Sequence, residues 1–373
     1  MPTEKTRQGF NPSPKKILII VMRYLGDVFL CTPLIHSLRA AYPQALLDVL
    51  VFANSAAILE GNPDIDSIIE TRQGAGSIEA IQLILRIFRR YDVAFITQTG
   101  DRPLFYGVLA ARIRVGAVPP VCSQGGWKRL FLRYWCEFDN LDTHTVRQHL
   151  KLAEAIGIDP IAELIPPRSL APANEIQRAL AQTRYAVLHM YPQWVYKRWT
   201  QTGWVEVGQY LERQHIRLVL SGSPAAEEIR YLQEIESHLP ENTINLAGKL
   251  SIAELSDVIQ GACLFIGPDT GITHLAAATG IPVIALFGPS NPVKWAPWPH
   301  GFDAHTNPFA RIGSQNKDNI YLIQAEKHCV PCHLEGCERH RNSYSECLDT
   351  LPATRVIEKI ASILALSDCS DIA

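Results

Sequence analysis

Apolar runs alternate with stretches of helical spacing from residue 16 onward. KILIIVM (16–22) reads as a fully buried strand, and LLDVLVF (46–52) and DVAFITQ (92–98) repeat that signature. Between them, DVFLCTPLIHSLRAAYP (27–43) carries a helical pattern interrupted by Pro33, and SIEAIQLILRIFRRY (77–91) has helical spacing throughout. Strands alternating with helices over short connections predict βαβ units and a parallel sheet, since parallel neighbours require a crossover of helical length. The segment IGIDPIAELIPPRSLAPANE (156–175) is rich in Pro and has no sustained period, which makes it the candidate linker. The alternation then restarts with strands over YAVLHM (185–190), IRLVLSG (216–222), CLFIGP (263–268) and PVIALFGPS (282–290). Helical patterns lie between them, at 204–214, 224–239, 251–262 and 271–280, and a last one, TRVIEKIASILALS, closes the chain. The expected class is therefore α/β, with two doubly wound domains whose ligands bind beyond the C-terminal edges of the strands.

Composition narrows the reading. With 373 residues, the chain is long for one domain and sufficient for two. Its net charge of −2 leaves no nucleic-acid footprint. The distribution is uneven: residues 1–150 carry 17 Lys and Arg against 13 Asp and Glu, and residues 151–373 carry 18 against 24. The front half is the one suited to an anionic partner. No run approaches the roughly 20 apolar residues of a membrane span. The opening MPTEKTRQGFNPSPKK lacks the apolar core of a secretory signal, so residues 1–15 are expected to be a disordered leader and the protein cytoplasmic. Nine cysteines in such a chain argue against a disulfide framework.

The chemistry concentrates at strand ends. In CLFIGPDTGITHLAAATGIPVIALFGPSNP (263–292), a strand runs into Asp269, Thr270 and Gly271, and a short Ala-rich helix follows with His274 one turn inside. A capping hydroxyl, a glycine that admits close backbone approach and free first-turn N–H groups make a phosphate site. A second cluster, HMYPQWVYKRWTQTGW (189–204), sets Lys197 and Arg198 among Trp194, Tyr196, Trp199 and Trp204. There a cation can neutralise a departing diphosphate and an aromatic ring can stack on a base. Glu227 and Glu228 follow SGSP at another strand end and are placed to accept hydrogen bonds from a sugar hydroxyl.

In the first half, Asp27 in RYLGDV stands on the turn out of the first strand, where it is either a helix cap or a reactive carboxylate. GGWKRLFLRYW (125–135) is expected to form a basic, aromatic helix in which Lys128, Arg129 and Arg133 meet a phosphorylated glycolipid at a membrane surface, or a half-buried helix with solvated cations. DIDS (64–67) contains an Asp-x-Asp, explained by loop-to-strand polarity rather than metal binding. Cys329, Cys332, Cys337 and Cys347 form a spaced tetrad that reads either as a structural metal site or as redox-labile thiols.

Taken together, RYLGDV with TPLIHSLRAAYP, KRW, NLAGKLSIAEL and DTGITHLAAATGIPVIALFGP resemble glycosyltransferase family 9, the bacterial heptosyltransferases, over about residues 15–365. Locally the likeness is greatest to the heptosyltransferase III branch, which adds a branch heptose to the lipopolysaccharide inner core. The resemblance implies a GT-B fold of two Rossmann-like domains facing a central cleft. The first, acceptor-binding, domain spans 16–170, the nucleotide-sugar domain spans 171–351, and a C-terminal helix over 352–373 crosses back to the first domain. It also implies inverting transfer from ADP-heptose to a sugar hydroxyl with no catalytic cofactor, on the inner face of the inner membrane. By the same resemblance Asp27 is the base, Lys197 binds the diphosphate, and Asp269, Thr270, Gly271 and His274 bind the donor. Arg198 and one of Glu227 or Glu228 assist. The chain departs from the common pattern at Cys31, where many members have Thr, and at HMYP beside the Lys197 loop. The competing readings are another donor or acceptor on the same scaffold, and a nucleotide-sugar-binding protein without activity.

Overall fold

The computed structural model describes residues 13–120, 125–169 and 175–370, with the side chains of 367–370 left aside. The leader expected over 1–15 falls largely outside these residues, as do Cys122 and part of the linker candidate. The chain divides into two compact units. One comprises the described residues up to Pro167 together with Gly301–Asn307; the other comprises Arg168–His300 and the chain from Pro308 onward. The short 301–307 excursion is tied to the first unit by Asn307, whose Nδ2 donates to the Asp142 carbonyl at 2.7 Å and whose Oδ1 accepts from His144 N at 3.0 Å.

The first unit holds a six-stranded sheet of β1 (Lys16–Ile20), β2 (Leu46–Phe52), β3 (Ser67–Thr71), β4 (Tyr91–Ile96), β5 (Ala111–Val118) and β6 (Tyr134–Glu137). Their order is β3-β2-β1-β4-β5-β6 and every pairing is parallel. Strands covered on both faces must be apolar throughout, and residues 17–21 are fully buried. The helices are α1 (Leu25–Phe29), α2 (Thr32–Ala41), α3 (Ser77–Ile87), α4 (Asp101–Ala110) and α5 (Thr145–Glu154). The helical pattern over 27–43 is two helices. Leu30 and Cys31 separate them, and Pro33 sits in the first turn of α2, where its missing N–H costs nothing.

The basic helix expected over 125–135 does not form. Residues Gly126–Phe131 make a short 3₁₀ turn, and the chain then enters β6 at the edge of the sheet. Gly125 opens the turn at φ 119°, a conformation glycine favours, and the aromatic pair Tyr134–Trp135 suits a strand.

The second unit repeats the same topology. Its strands are β7 (Tyr185–His189), β8 (Arg217–Ser221), β9 (Ile244–Asn245), β10 (Leu264–Pro268), β11 (Val283–Phe287), β12 (Gln315–Lys317) and β13 (Ile320–Gln324). The order is β12-β13-β11-β10-β7-β8-β9, parallel except for the β12–β13 hairpin. Its helices are α6 (Glu175–Leu180), α7 (Gln201–Arg213), α8 (Ala226–Glu236), α9 (Ile252–Gln260), α10 (Gly271–Ala278), α11 (Pro292–Trp295), α12 (Glu346–Asp349) and α13 (Ala353–Ser370). In both units the first strand lies between its second and fourth, so the strand order reverses there. That reversal opens a crevice at the C-terminal ends of the central strands. Helix α13, expected to cross to the first domain, buries Val356, Ile360 and Ile363 in the core of the second unit and packs on α7 and β13.

Candidate active site

The reversal point of the second sheet lies between β7 and β10. The loop after β7 carries Lys197 and the loop after β10 carries Asp269, so residues 72 positions apart meet: Lys197 Nζ donates to Asp269 Oδ2 at 2.6 Å. Both side chains are largely buried. Burial pushes the Asp269 carboxyl upward, but Lys197, His274 and a hydrogen bond from Ser290 outweigh it and hold the group below its ordinary range. Asp269 is therefore an anion that fixes one N–H of the lysine, and two remain for a ligand.

Thr270 caps α10 by accepting from Thr273 N at 3.3 Å. Gly271 opens the helix, whose first-turn N–H groups lack intrahelical acceptors. Gly267 is required by the close approach beneath this turn, since a Cβ there would lie 2.8 Å from the Phe265 ring. His274 is buried one turn inside α10. Burial lowers its pKa to about 4, so it is neutral at pH 7, and among the described residues its Nδ1 has no hydrogen-bond partner. The motif predicted from sequence is thus assembled as a cation, a neutral imidazole and a helix N-terminus at one sheet edge.

The neighbouring loop is held from the other side of the unit. Arg341 O accepts from Val195 N at 3.1 Å, Ser345 Oγ donates to Tyr196 O at 2.6 Å, and Trp199 Nε1 donates to Leu351 O at 2.9 Å. Arg341 also lies over the Trp194 ring, 4.4 Å from its centroid. No local pattern around Lys197 announces this brace. Trp199 and Trp204, offered by the sequence as base-stacking rings, instead form a T-shaped pair in the core at 5.0 Å.

Arg198 stacks on Tyr191 at 4.0 Å and Tyr231 at 5.5 Å, and its Nη2 donates to Glu227 Oε1 at 3.2 Å. Hydrogen bonds from Tyr191 and Arg198 lower the Glu227 pKa. Glu228 turns inward: it is buried, bonded by Ser223 and raised by desolvation. The two adjacent acids therefore differ, and only Glu227 presents its carboxylate outward.

Asp27 lies just beyond β1, at the reversal point of the first sheet. It occupies the first turn of α1, whose cap residue is Tyr24 and has no side-chain cap bond. Its Oδ1 accepts from Arg23 Nε at 3.3 Å, and the side chain is 16% exposed. In the same unit, Lys128 is buried and paired with Asp101 at 2.6 Å, and Arg129 pairs with Glu137 at 2.8 Å while stacking on Trp135. Arg133 remains exposed at the edge strand.

The structure does not support a metal at the cysteine tetrad. None of the four forms a disulfide, Cys347 is buried while Cys329 and Cys337 are exposed, and burial pushes the Cys347 thiol up to about 12. Among the described residues no group of three or more His, Cys, Asp or Glu side chains is gathered to hold a metal ion, and no helix is long and apolar enough to cross a membrane.

Acid should destabilise this unit. His189, bonded to Ser221 Oγ at 3.1 Å, is also lowered to about 4 by burial. An unfolded chain protonates both histidines near 6.5, whereas the folded chain resists until about 4. The stability they confer is complete above pH 6.5 and is lost as pH falls towards 4. Thermal melts across this window should show a falling midpoint, with a shallower slope for His189→Gln. Identical slopes would remove His189 from the account.

Two Rossmann-like units, each with its strand order reversed beside the first strand, have the make-up of the GT-B fold. The model of glycosyltransferase family 9 (heptosyltransferase) matches residues 109–319, more than half of the sequence, and the chain belongs to that family and is an enzyme of the glycosyltransferase class. Lipopolysaccharide heptosyltransferase 3 of Escherichia coli is 29% identical over 293 residues, covering 74% of this chain and 83% of the relative. Among solved structures, E. coli ADP-heptose lipopolysaccharide heptosyltransferase II superposes with a TM-score of 0.70 at 22% identity, over 95% of this chain and 99% of that one. E. coli heptosyltransferase WaaC, solved with ADP, gives 0.68 at 18% identity, over 93% and 99%.

Proposed function

We propose that the protein transfers L-glycero-D-manno-heptose from ADP-heptose, with inversion, to a hydroxyl of the lipopolysaccharide inner core, adding the third, branch heptose. The observation that carries this reading is the Lys197–Asp269 pair beside the N-terminus of α10, which offers positive charge and N–H donors to a diphosphate. His274 Nδ1, buried and unpartnered, faces the same demand for a ligand. The acceptor oxygen bonds to the anomeric carbon as the carbon–oxygen bond to the diphosphate breaks. Asp27 takes the hydroxyl proton, and ADP leaves with its new charge beside Lys197. Arg198 and outward-facing Glu227 bind the nucleotide sugar, and exposed Arg133 serves the acceptor side at the inner face of the membrane, while Lys128 and Arg129 are held by Asp101 and Glu137. The order of named relatives, with heptosyltransferase 3 sequences at 29% and 27% identity ahead of heptosyltransferase 2 sequences at 28% or below by strength of match, supports the branch assignment.

The test is transfer by purified protein from ADP-heptose to a panel of truncated core acceptors. Product only on acceptors that already carry two heptoses is the expected result. Transfer to a heptose-free acceptor would move the enzyme to an earlier step, and no product on any acceptor, with ADP-heptose still bound, would overturn the assignment.

A further inference from the structure

Helix α3 is apolar on two faces. One face meets the first unit through Leu83 and Ile87, which are buried. The other carries Ile78, Ile81, Leu85 and Phe88 at spacings of three, four and three, which places them in a single stripe along the helix and its cap. These four are 76%, 55%, 68% and 52% exposed. A globular surface helix turns charged residues outward, and a stripe of large aliphatic side chains in water marks a face that meets something apolar.

The charges around the stripe identify what it meets. Arg86, Arg89 and Arg90 are exposed beside it, and among the described residues none of the three has an acidic ion-pair partner. Arg89 lies over the Phe88 ring, with its guanidinium 6.0 Å from the centroid. The imbalance extends along the sequence: residues 72–135 contain ten Lys and Arg against three Asp and Glu, a surplus of seven in a chain whose net charge is −2. Two neighbouring elements also expose large apolar side chains. Helix α4, packed against α3, exposes Phe105, and the 3₁₀ turn pinned to the start of α4 by Lys128–Asp101 exposes Leu130 at 85%. A protein partner complementary to this face would need an acidic rim around an apolar groove. A bilayer of anionic lipid presents both features, with headgroup phosphates above acyl chains, at any orientation along the helix.

We propose that α3 is an in-plane anchor that lies in the headgroup region of an anionic bilayer, with Ile78, Ile81, Leu85 and Phe88 in the acyl boundary and Arg86, Arg89 and Arg90 on lipid phosphates. This gives the lipid-linked acceptor reading a place to act and rests on it only for its purpose. The binding is read without acceptor or donor, so its failure and that of the proposed transfer are separable.

The test is co-sedimentation of the full chain with vesicles of phosphatidylethanolamine and phosphatidylglycerol, beside vesicles of phosphatidylcholine alone. Wild type should partition to the anionic vesicles at least tenfold better than to the neutral ones and be released as salt rises through the range that screens surface charge. Ile81→Glu/Leu85→Glu should reduce binding at least tenfold, with an unchanged melting temperature and unchanged transfer to a short water-soluble acceptor. Ile78→Ser/Leu85→Ser provides the same readout if the glutamates perturb folding. Equal binding of wild type and both stripe variants would overturn the proposal, as would no binding of wild type. A dimer in light scattering that the stripe variants convert to monomer would assign the face to a second copy of the chain and overturn it too.

Discussion

Replacing Asp27 with Ala is expected to lower kcat for heptose transfer about 10³-fold while leaving ADP affinity within about twofold. The reasoning begins with position. Asp27 stands where the strand order of the first sheet reverses, on a helix of five residues whose cap is another residue. Arg23 Nε donates to its Oδ1 at 3.3 Å, and the carboxylate keeps 16% exposure through which an acceptor hydroxyl can reach it. A base that acts only when the acceptor hydroxyl is attacking contributes to the transition state and not to donor binding, so the loss falls on kcat. Asp27→Asn keeps the shape and should lose nearly as much, which separates proton transfer from packing. Retention of more than a tenth of wild-type kcat in both variants would place the base elsewhere.

Lys197→Ala should act differently, on binding and on stability together. Removing one partner of a buried pair leaves Asp269 as an unpaired charge, at a cost of about 3–5 kcal/mol. Hydrogen bonds to a charged group are worth roughly 1.5–3 kcal/mol, so ADP should bind about 10- to 100-fold more weakly. Without the lysine the Asp269 carboxyl loses the nearest charge holding it below its ordinary range. The second substitution Asp269→Asn, added to Lys197→Ala, should restore much of the melting temperature and none of the ADP affinity, by calorimetry on the same preparations. Recovery of binding in the double variant would mean that the lysine serves the fold alone.

What could be read in advance followed from local rules. KILII is apolar beyond its first residue because both faces of its strand are covered, LLDVLVF follows it with Asp48 as the one polar break, and such runs announce themselves. DTGITHL was legible because a cap, a glycine and a short helix are contiguous. The Lys197–Asp269 pair was not legible as a contact, since it exists only because β7 and β10 are neighbours in the sheet, and nothing local reports strand order. GGWKRLF looked helical by composition, but its paired glycines and the following aromatics favour a turn and an edge strand. The aromatics near Lys197 show the limit of an aromatic count: two of the four, Trp199 and Trp204, are core residues, and burial is decided by what packs above them. Spacing left the cysteines between a metal site and redox-labile thiols, and spacing alone does not report which side chains the fold gathers: among the described residues no metal-holding group is assembled.

The brace on the Lys197 loop sets an order of events during synthesis. Tyr196 leaves the ribosome 149 residues before Ser345, which holds its carbonyl, and Trp199 leaves 152 before Leu351. At roughly 5–20 residues per second, the nascent domain waits on the order of 10–30 s for these clamps. Until then the strands of its sheet can pair, and the lysine loop is held only by earlier partners such as Asp269, Glu227 and Trp204. A chain cut short before residue 341 would carry every residue of the donor motif and still lack the support that aims it.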